Sequence, residues 1–229
     1  TVVPENFSFR MTDEEYRVLE KIKNSIPVCY LADHADFALG IVTGNNKKFL
    51  SAEKTENSEM VLKGTDICKY HINPVKQYLR FEPEQFQQVA PLEIYRAPEK
   101  LLYRFISNQL VVAYDDRQML SLNSCNIVIP KIDGMQIKYI LAILNSSVSQ
   151  FVYQKEFHSI KVLRAHMEHI PIPRVGKAIQ NEIIAMTEPL ICGMGKEAAE
   201  TCQKRLDCRI MDLFRLSAEE QWIIRHALH

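Results

Sequence analysis

Residues 101–129 have the sequence LLYRFISNQLVVAYDDRQMLSLNSCNIVI, in which short apolar runs alternate with short polar linkers. Linkers of two or three residues, such as Ser107-Asn108 and Asp115-Asp116-Arg117, are typical of hairpins and meanders. The stretch therefore predicts consecutive strands, and Pro130 ends the run because proline cannot donate a hydrogen bond to a strand ladder. The predicted strands cover residues 101–106, 110–114, 118–122 and 125–129.

The segments on either side of this stretch alternate between strand and helix patterns. Upstream, Thr12 and Glu15 form a capping-box pattern that predicts the start of a helix over residues 12–24. Shorter apolar runs at 28–31, 36–42, 59–62 and 77–81 predict further strands, and residues 43–49 a turn. Downstream, apolar residues recur every three or four positions over 136–154, which predicts one helix or two helices joined near Asn145-Ser146-Ser147.

The last quarter of the chain has a helical pattern throughout. Ser217 and Glu220 form a second capping-box pattern before the final helix. We therefore predict a mixed α/β (α+β) fold with a mainly antiparallel sheet, flanking helices and a C-terminal helical section. The other helical segments are 164–169, 177–192 and 197–214.

The domain organisation follows from this division. We predict an N-terminal helix and linker over residues 1–27, a recognition part over 28–174, and the helical section over 175–229. The first residue is Thr1 rather than methionine. We therefore expect the chain to be a fragment or a processed form.

The charge of the chain is balanced overall but uneven along its length. The 229 residues include 28 lysines and arginines and 28 aspartates and glutamates, with 47% hydrophobic residues, which is ordinary for a globular protein. Residues 40–80 carry a net charge of +3 and residues 96–174 of +4, whereas the ends are net acidic. Zero net charge argues against a general polyanion binder, but it permits a basic face in the middle of the chain.

Several functional classes lack sequence support. The six cysteines include no C-x-x-C pair, so neither a zinc site nor a disulfide framework is indicated, and reduced thiols are expected. No apolar run is long enough to span a membrane, and we expect a cytoplasmic protein. The chain contains no (D/E)-x-K nuclease element, no N-P-P-Y type loop and no G-x-G-x-x-G after a strand. We therefore predict no catalytic residue, no metal site and no cofactor in this chain.

Three polar and basic stretches stand out at the edges of predicted elements, over residues 43–49, 62–70 and 157–164. Lysine can hold phosphate, arginine and asparagine can read base edges, and aromatic rings can stack on bases. The alternative is that these stretches are ordinary solvated loops. The candidate phosphate contacts are Lys47, Lys48, Lys63, Lys69 and Lys161. The candidate base contacts are Asn45, Asn46, Arg104, Arg117 and Arg164, with Tyr70 as an aromatic candidate.

The order of these motifs resembles a known family. The pattern I-x-T-G-x-N-K-x-F at residues 41–49 is followed by L-x-G-x-D-I-x-x-Y at 62–70 and the strands of 101–130. Y-I-L-A-I-L-N-S at 139–146, K-V-L-R…H-I-P-I-P at 161–173 and a helical tail at 206–220 complete it. Together they resemble the target-recognition domain of Taq-type adenine DNA methyltransferases and of type IIG restriction–modification enzymes.

The resemblance implies a sequence-specific duplex DNA recognition module that is not catalytic by itself. Its implied partners are double-stranded DNA and the methyltransferase domain of the parent chain, which lies across the DNA cleft. The parent protein would be a site-specific DNA adenine methyltransferase or restriction endonuclease. S-adenosylmethionine and Mg²⁺ would then be bound by domains outside this chain.

Two other functions remain open at this stage. The C-terminal helices from Lys177 could dock another subunit, in which case the chain would be a protein-interaction module. A large exposed apolar helix face would favour that reading, and a continuous basic groove would favour DNA. A deep pocket with converging ionisable side chains would instead favour an enzyme.

Overall fold

The computed structural model describes residues 11–157 and 159–228. Residues 1–10 of the predicted linker and His158 of the third basic stretch lie outside the described residues. The helices are α1 (Asp13–Asn24), α2 (Asn46–Phe49), α3 (Leu92–Tyr95), α4 (Ile137–Asn145), α5 (Ser147–Glu156), α6 (Arg164–Glu168), α7 (Lys177–Cys192), α8 (Lys196–Leu213) and α9 (Ala218–Ala227), with 3-10 turns at Gly64–Asp66 and Pro83–Gln85. The strands are β1 (Val28–Cys29), β2 (Ala35–Ala38), β3 (Leu50–Ser51), β4 (Ser58–Leu62), β5 (Tyr78–Arg80), β6 (Lys100–Arg104), β7 (Val112–Asp115), β8 (Leu120–Ser121), β9 (Cys125–Pro130) and β10 (Ile172–Pro173).

The central sheet is antiparallel and has the strand order β2-β9-β6-β7. Leu102 in β6 pairs with Ile127 in β9 on one side and with Ala113 in β7 on the other. Because β6 and β7 are adjacent in sequence and antiparallel, they form the hairpin that residues 101–114 predicted. The mixed α+β class with a mainly antiparallel sheet and a C-terminal helical section is confirmed.

A second sheet, in the order β3-β5-β4-β8, packs against the first. Its strand β8 lies between β7 and β9 in sequence but leaves the central sheet to pair with β4. Val61 pairs with Leu120 in this contact, and the two strands run parallel. The quoted stretch is therefore not a simple meander, because its third strand belongs to a different sheet.

The central sheet separates two hydrophobic cores. Leu101 and Tyr103 of β6 point into the larger core beside α4 and α5, whereas Leu102 points into the smaller core beside β4 and β8. This alternation is the two-residue period of a strand that is buried on both faces. It explains why residues 101–103 of β6 and 127–129 of β9 are continuously apolar.

Two helices replace the long helical pattern of residues 136–154. Asn145 ends α4, and Ser146 begins α5 by accepting a hydrogen bond from the backbone N–H of Ser149 at 3.2 Å. The sequence left open one helix or two joined helices, and the structure shows two joined helices. A single-turn helix, α2, also forms inside the predicted turn of residues 43–49, because the Asn45 side chain accepts from the Lys48 N–H.

The two capping boxes are confirmed, and the helices that they begin pack together. Thr12 and Glu15 bond reciprocally at the start of α1, as do Ser217 and Glu220 at the start of α9. Lys21 of α1 forms an ion pair of 2.5 Å with Glu220. Buried side chains of α1 and α9 lie in the larger core together with those of residues 28–174. One core therefore continues across the predicted boundaries at residues 27/28 and 174/175.

Two other properties concern the chain as a whole. The six cysteines, all in the described residues, are free thiols. Among the helices of residues 11–157 and 159–228, none is long and apolar enough to cross a membrane.

Candidate nucleic-acid interface

An open depression lies where β4 and β8 end, and it contains several of the predicted site residues. Its volume is about 420 Å³. Asn46 and Lys47 come from α2, Lys63 directly follows β4, and Asn123 and Ser124 follow β8. Polar lining side chains at the ends of strands are typical of binding sites, because the sheet beneath holds them in place. The polar side chains of this depression are Asn46, Lys47, Lys63, Gln77, Asn123 and Ser124.

Lys63 is held in position by the tight packing of the next residue. The Gly64 N–H donates to Ser124 Oγ at 3.0 Å, and a Cβ at Gly64 would lie 2.5 Å from the Ser124 carbonyl oxygen. The Asp66 carboxylate accepts from the Lys63 N–H at 2.9 Å. The backbone of Lys63 is thereby fixed while its side chain remains exposed.

Asn123 and Ser124 occupy the two central positions of a β-turn between β8 and β9. The Cys125 N–H donates to the Leu122 carbonyl at 2.8 Å, which closes the turn. The Asn123 N–H donates to the carbonyl of Ile41 at 3.1 Å. The turn is therefore bonded to neighbouring segments through its backbone, and Asn123 is exposed at its tip.

Direct contacts lead from this turn to Lys161. The Ser124 carbonyl accepts from the Phe105 N–H at 3.0 Å, and the Phe105 carbonyl accepts from the Val162 N–H at 2.8 Å. The Lys161 ammonium lies 5.9 Å from the centre of the Phe105 ring, which is a cation–π distance. The surface that bears Lys47 and Lys63 in the depression is therefore joined through Phe105 to the segment that bears Lys161.

Arg164 continues this surface at the start of α6. Its guanidinium lies 5.1 Å from the centre of the Phe37 ring and forms an ion pair of 2.7 Å with Glu168. The arginine is exposed, so this pairing leaves donors available to solvent. We call Lys47, Lys63, Lys161 and Arg164 the basic edge.

Large apolar side chains accompany the basic edge near Lys161. Ile106 is 62% exposed and Ile160 is 71% exposed. The Ser107 N–H donates to the Ile160 carbonyl at 3.0 Å, so backbone bonding holds the two segments together. Their exposure is thus a feature of an ordered part of the surface.

Three predicted site residues are used inside the fold, and we withdraw them from the interface. Lys69 donates to the Asn145 carbonyl at 3.1 Å. Burial lowers the pKa of its ammonium group, although the negative charge of Asp207 acts to raise that pKa. Tyr70 is only 3% exposed, and burial raises the pKa of its hydroxyl. Arg104 donates to the carbonyls of Gly64 and Ile67 at 2.8 and 2.7 Å, so its guanidinium supports the Gly64 turn.

The remaining predicted residues lie nearby or elsewhere. Arg117 lines a different depression with Ser58 and Glu59, at the opposite end of β4 from Lys63. Lys48 is exposed and donates to Gln85 at 2.6 Å. Asn45 caps α2, and Asn46 accepts from the Thr43 hydroxyl at 2.6 Å. These two asparagines therefore build the loop as well as border the surface.

Metal-ligating side chains are not clustered in the described residues. Within residues 11–157 and 159–228, no three histidine, cysteine, aspartate or glutamate side chains are grouped so that they could hold a metal ion. The most buried ionisable pair, Lys100 and Asp115, is enclosed by protein, with an N–O distance of 2.5 Å and no exposed side-chain surface. It is a structural pair beneath the β7–β8 turn.

A comparison with models of known families gives a match over residues 59–172, to the TaqI-like C-terminal specificity domain. The chain carries a TaqI-like C-terminal specificity domain. Such a domain is the DNA target-recognition part of restriction–modification enzymes. No curated protein is similar enough in sequence to match the chain.

Solved structures share the fold of this specificity domain. A structure described as a type I restriction–modification system covers 94% of the chain with 14% identity and a TM-score of 0.50. The type IIL restriction–modification enzyme MmeI in complex with DNA covers 86% of it with 10% identity and a TM-score of 0.56. The chain spans 51% and 35% of those two chains, so it matches only part of each. At these identities the likeness concerns the fold.

The matched segment contains most of the basic edge. Lys63, Lys161 and Arg164 lie within residues 59–172, and Lys47 precedes them on α2. Gln77 and Asn123 also belong to the specificity domain and border the same depression, although the sequence did not single them out. The Leu122-Asn123-Ser124-Cys125 turn between two strand patterns was the signal that could have indicated Asn123.

Proposed function

We propose that this specificity domain binds duplex DNA in a sequence-specific manner through the basic edge. The observation that carries the proposal is the sharing of one depression by Lys47 and Lys63, with Lys161 joined to it through Phe105. Lysines on adjacent surface segments suit the closely spaced phosphates of a duplex. We assign Lys47, Lys63 and Lys161 to phosphate contacts and retain Lys48 as a peripheral candidate.

Three acidic side chains are engaged in ion pairs that do not involve the basic edge. Glu15, Glu156 and Glu220 are engaged by lysines of α1 and α5, in the helical layer beside the larger core. These glutamates pair with lysines of the same layer, so none of the three is paired with a lysine of the basic edge. Zero net charge is thus compatible with a surface that attracts phosphate.

The base-reading role is proposed for side chains beside these lysines. Arg164 is exposed and can present its free donors to a guanine edge. Arg117 instead lines the depression at the opposite end of β4 from Lys63. Asn45 and Asn46 remain candidates at the border. The division into an N-terminal part, a recognition part over 28–174 and a helical section also remains a proposal.

The parent protein is proposed to be an adenine-specific DNA methyltransferase or a type IIG restriction enzyme. In that arrangement this chain supplies recognition without catalysis, and the methyltransferase domain is its partner across the DNA. S-adenosylmethionine and Mg²⁺ would bind to the other domains. The complex of the similarly folded MmeI with DNA supports DNA as the ligand.

The protein-docking alternative receives less support from the helical section. On its described part, residues 175–228, the only large apolar side chains with high exposure are Met194 and Trp222. Met194 lies in the turn after α7 and Trp222 on α9, so they do not form one helix face. A docking partner would need a larger apolar patch than these two side chains provide.

Selection from a random duplex pool tests the proposal. We expect the chain to enrich a defined sequence, and we expect Lys63→Ala and Lys161→Ala to weaken binding to all sequences about equally. Lys177→Ala and Lys204→Ala are matched controls, because both lysines are exposed on the helical section. Absence of enrichment, together with equal affinity of all four variants, would contradict the proposal.

A further inference from the structure

Two amide side chains border the depression that Lys47 and Lys63 line. Asn123 is exposed at the tip of its turn, and Gln77 directly precedes β5. Both line the same depression as Lys47 and Lys63. Base-reading groups must lie between phosphate contacts, because the base edges are exposed in the groove between the two backbones.

The backbones of both residues are fixed by the fold. The Asn123 N–H donates to the Ile41 carbonyl at 3.1 Å, and the Gln77 carbonyl accepts from the Val61 N–H at 3.0 Å. Within the described part of the chain, no hydrogen bond engages either side-chain amide. Each amide is therefore carried on a rigid segment and keeps its donor and its acceptor for a ligand.

The other amides near the depression are less suitable. The Asn46 oxygen already accepts from the Thr43 hydroxyl, and the Asn45 oxygen accepts from the Lys48 N–H. Both asparagines hold α2 in place with the atoms that base reading would need. Asn123 and Gln77 have no such structural task.

We propose that Asn123 and Gln77 are specificity-determining residues that read adenine in the DNA target. A side-chain amide offers one acceptor and one donor side by side, and adenine presents N6–H as a donor and N7 as an acceptor in the major groove. No other base offers that matching pair in the same order. This inference rests on the proposed function and assigns the chemistry of its central depression.

The first experiment compares target sequences selected by the unaltered chain, Asn123→Ala and Gln77→Ala from the same random duplex pool. We expect each variant to lose preference at one adenine position and to keep its preference elsewhere. Asn57→Ala is a matched control, because Asn57 is an exposed asparagine before the opposite end of β4. The control should select the unaltered target.

The second experiment changes the DNA instead of the protein, so that folding of a variant does not enter. 7-Deazaadenine replaces N7 by a carbon and removes the acceptor that the amide N–H would contact. At the position read by Asn123, we expect this replacement to weaken binding roughly tenfold to a hundredfold. The same replacement should have little further effect on the Asn123→Ala variant.

The outcomes separate this inference from the proposed function. If the unaltered chain selects no target, the proposed function fails. If it selects a target that both variants retain, and 7-deazaadenine has no effect at any adenine, DNA recognition stands and the assignment of Asn123 and Gln77 is wrong. Relaxation at an adenine by either variant supports the assignment of that residue.

Discussion

The Asn145 side chain hydrogen-bonds to both backbone groups of Val112 on the edge strand β7. Its Nδ2 donates to the Val112 carbonyl at 2.8 Å, and its Oδ1 accepts from the Val112 N–H at 3.1 Å. The amide thus forms the two hydrogen bonds that a residue of a neighbouring strand would form. Asn145 is only 3% exposed, so both bonds are shielded from water. This contact joins α4 to the edge of the central sheet.

Asn145→Ala should destabilise the fold without touching the basic edge. The substitution leaves the Val112 N–H without its buried partner, and we expect a loss of roughly 2–4 kcal/mol in the free energy of unfolding. Urea denaturation followed by circular dichroism measures this loss. A change below about 0.5 kcal/mol would show that the pairing contributes little.

Two glycines beside the depression should tolerate no side chain. A Cβ at Gly40 would lie 2.0 Å from the Leu122 carbonyl oxygen, and one at Gly64 would lie 2.5 Å from that of Ser124. Gly64→Ala should therefore cost roughly 1–3 kcal/mol and also weaken DNA binding by displacing Lys63. Gly176→Ala is the control, because nothing lies within 4 Å of a Cβ there. Equal thermal stability of Gly64→Ala and Gly176→Ala would contradict this packing.

The buried pair Lys100–Asp115 should be sensitive to the loss of one partner. Lys100 Nζ also donates to the Tyr95 carbonyl at 2.6 Å, and Asp115 accepts from the N–H groups of Arg117 and Met119 at 2.9 Å. Lys100→Met should destabilise the fold by roughly 3–5 kcal/mol, because it leaves a buried carboxylate unpaired. Equilibrium unfolding of Lys100→Met, Asp115→Asn and the double variant measures the coupling. Strictly additive losses would show that the pair does not act as a unit.

Acid should weaken the packing of α1 and α9. Burial raises the pKa of Glu15 and Glu220, but hydrogen bonds from Lys155 and Thr12 to Glu15, and from Lys21 and Ser217 to Glu220, outweigh it. The pKa of each therefore lies below its ordinary value of 4.5. Since a carboxylate with a lowered folded pKa stabilises the fold above its unfolded pKa, this contribution is present near neutrality and is lost as the pH falls below about 4.5.

The variants Glu15→Gln and Glu220→Gln test this pH dependence. Each variant should lower the free energy of unfolding at pH 7 by roughly 1 kcal/mol. In each variant this free energy should also fall less steeply between pH 5 and pH 3 than in the unaltered chain. Thermal unfolding at a series of pH values gives both quantities. A decline in acid as steep as that of the unaltered chain would contradict the role of these carboxylates.

Local patterns were sufficient to predict the longer helices and several strands, but not the single-turn helices α2 and α3. The capping boxes at Thr12 and Ser217 involve residues three positions apart, so their hydrogen bonds depend only on nearby sequence. The parallel pairing of Val61 with Leu120 joins distant segments, and no local period distinguishes it from a meander. The sheet to which β8 belongs could not be predicted for that reason.

The sequence selects candidate site residues by their type, but it does not show their exposure. Lys63 and Lys161 lie on the surface, whereas Lys69 in the same pattern is turned inward to the Asn145 carbonyl. Sequence alone does not show which lysine of a loop finds an internal carbonyl. Asn123 does not stand out in the sequence, because asparagine is common in turns for conformational reasons alone.

The salt dependence of DNA binding by single lysine variants tests the central claim most directly. The slope of log K against log salt concentration counts the phosphates that the chain neutralises. We expect Lys47→Ala, Lys63→Ala and Lys161→Ala each to reduce that slope by about one, with Lys177→Ala unchanged. Slopes for the three variants that equal those of the unaltered chain and of Lys177→Ala would show that DNA does not contact the basic edge.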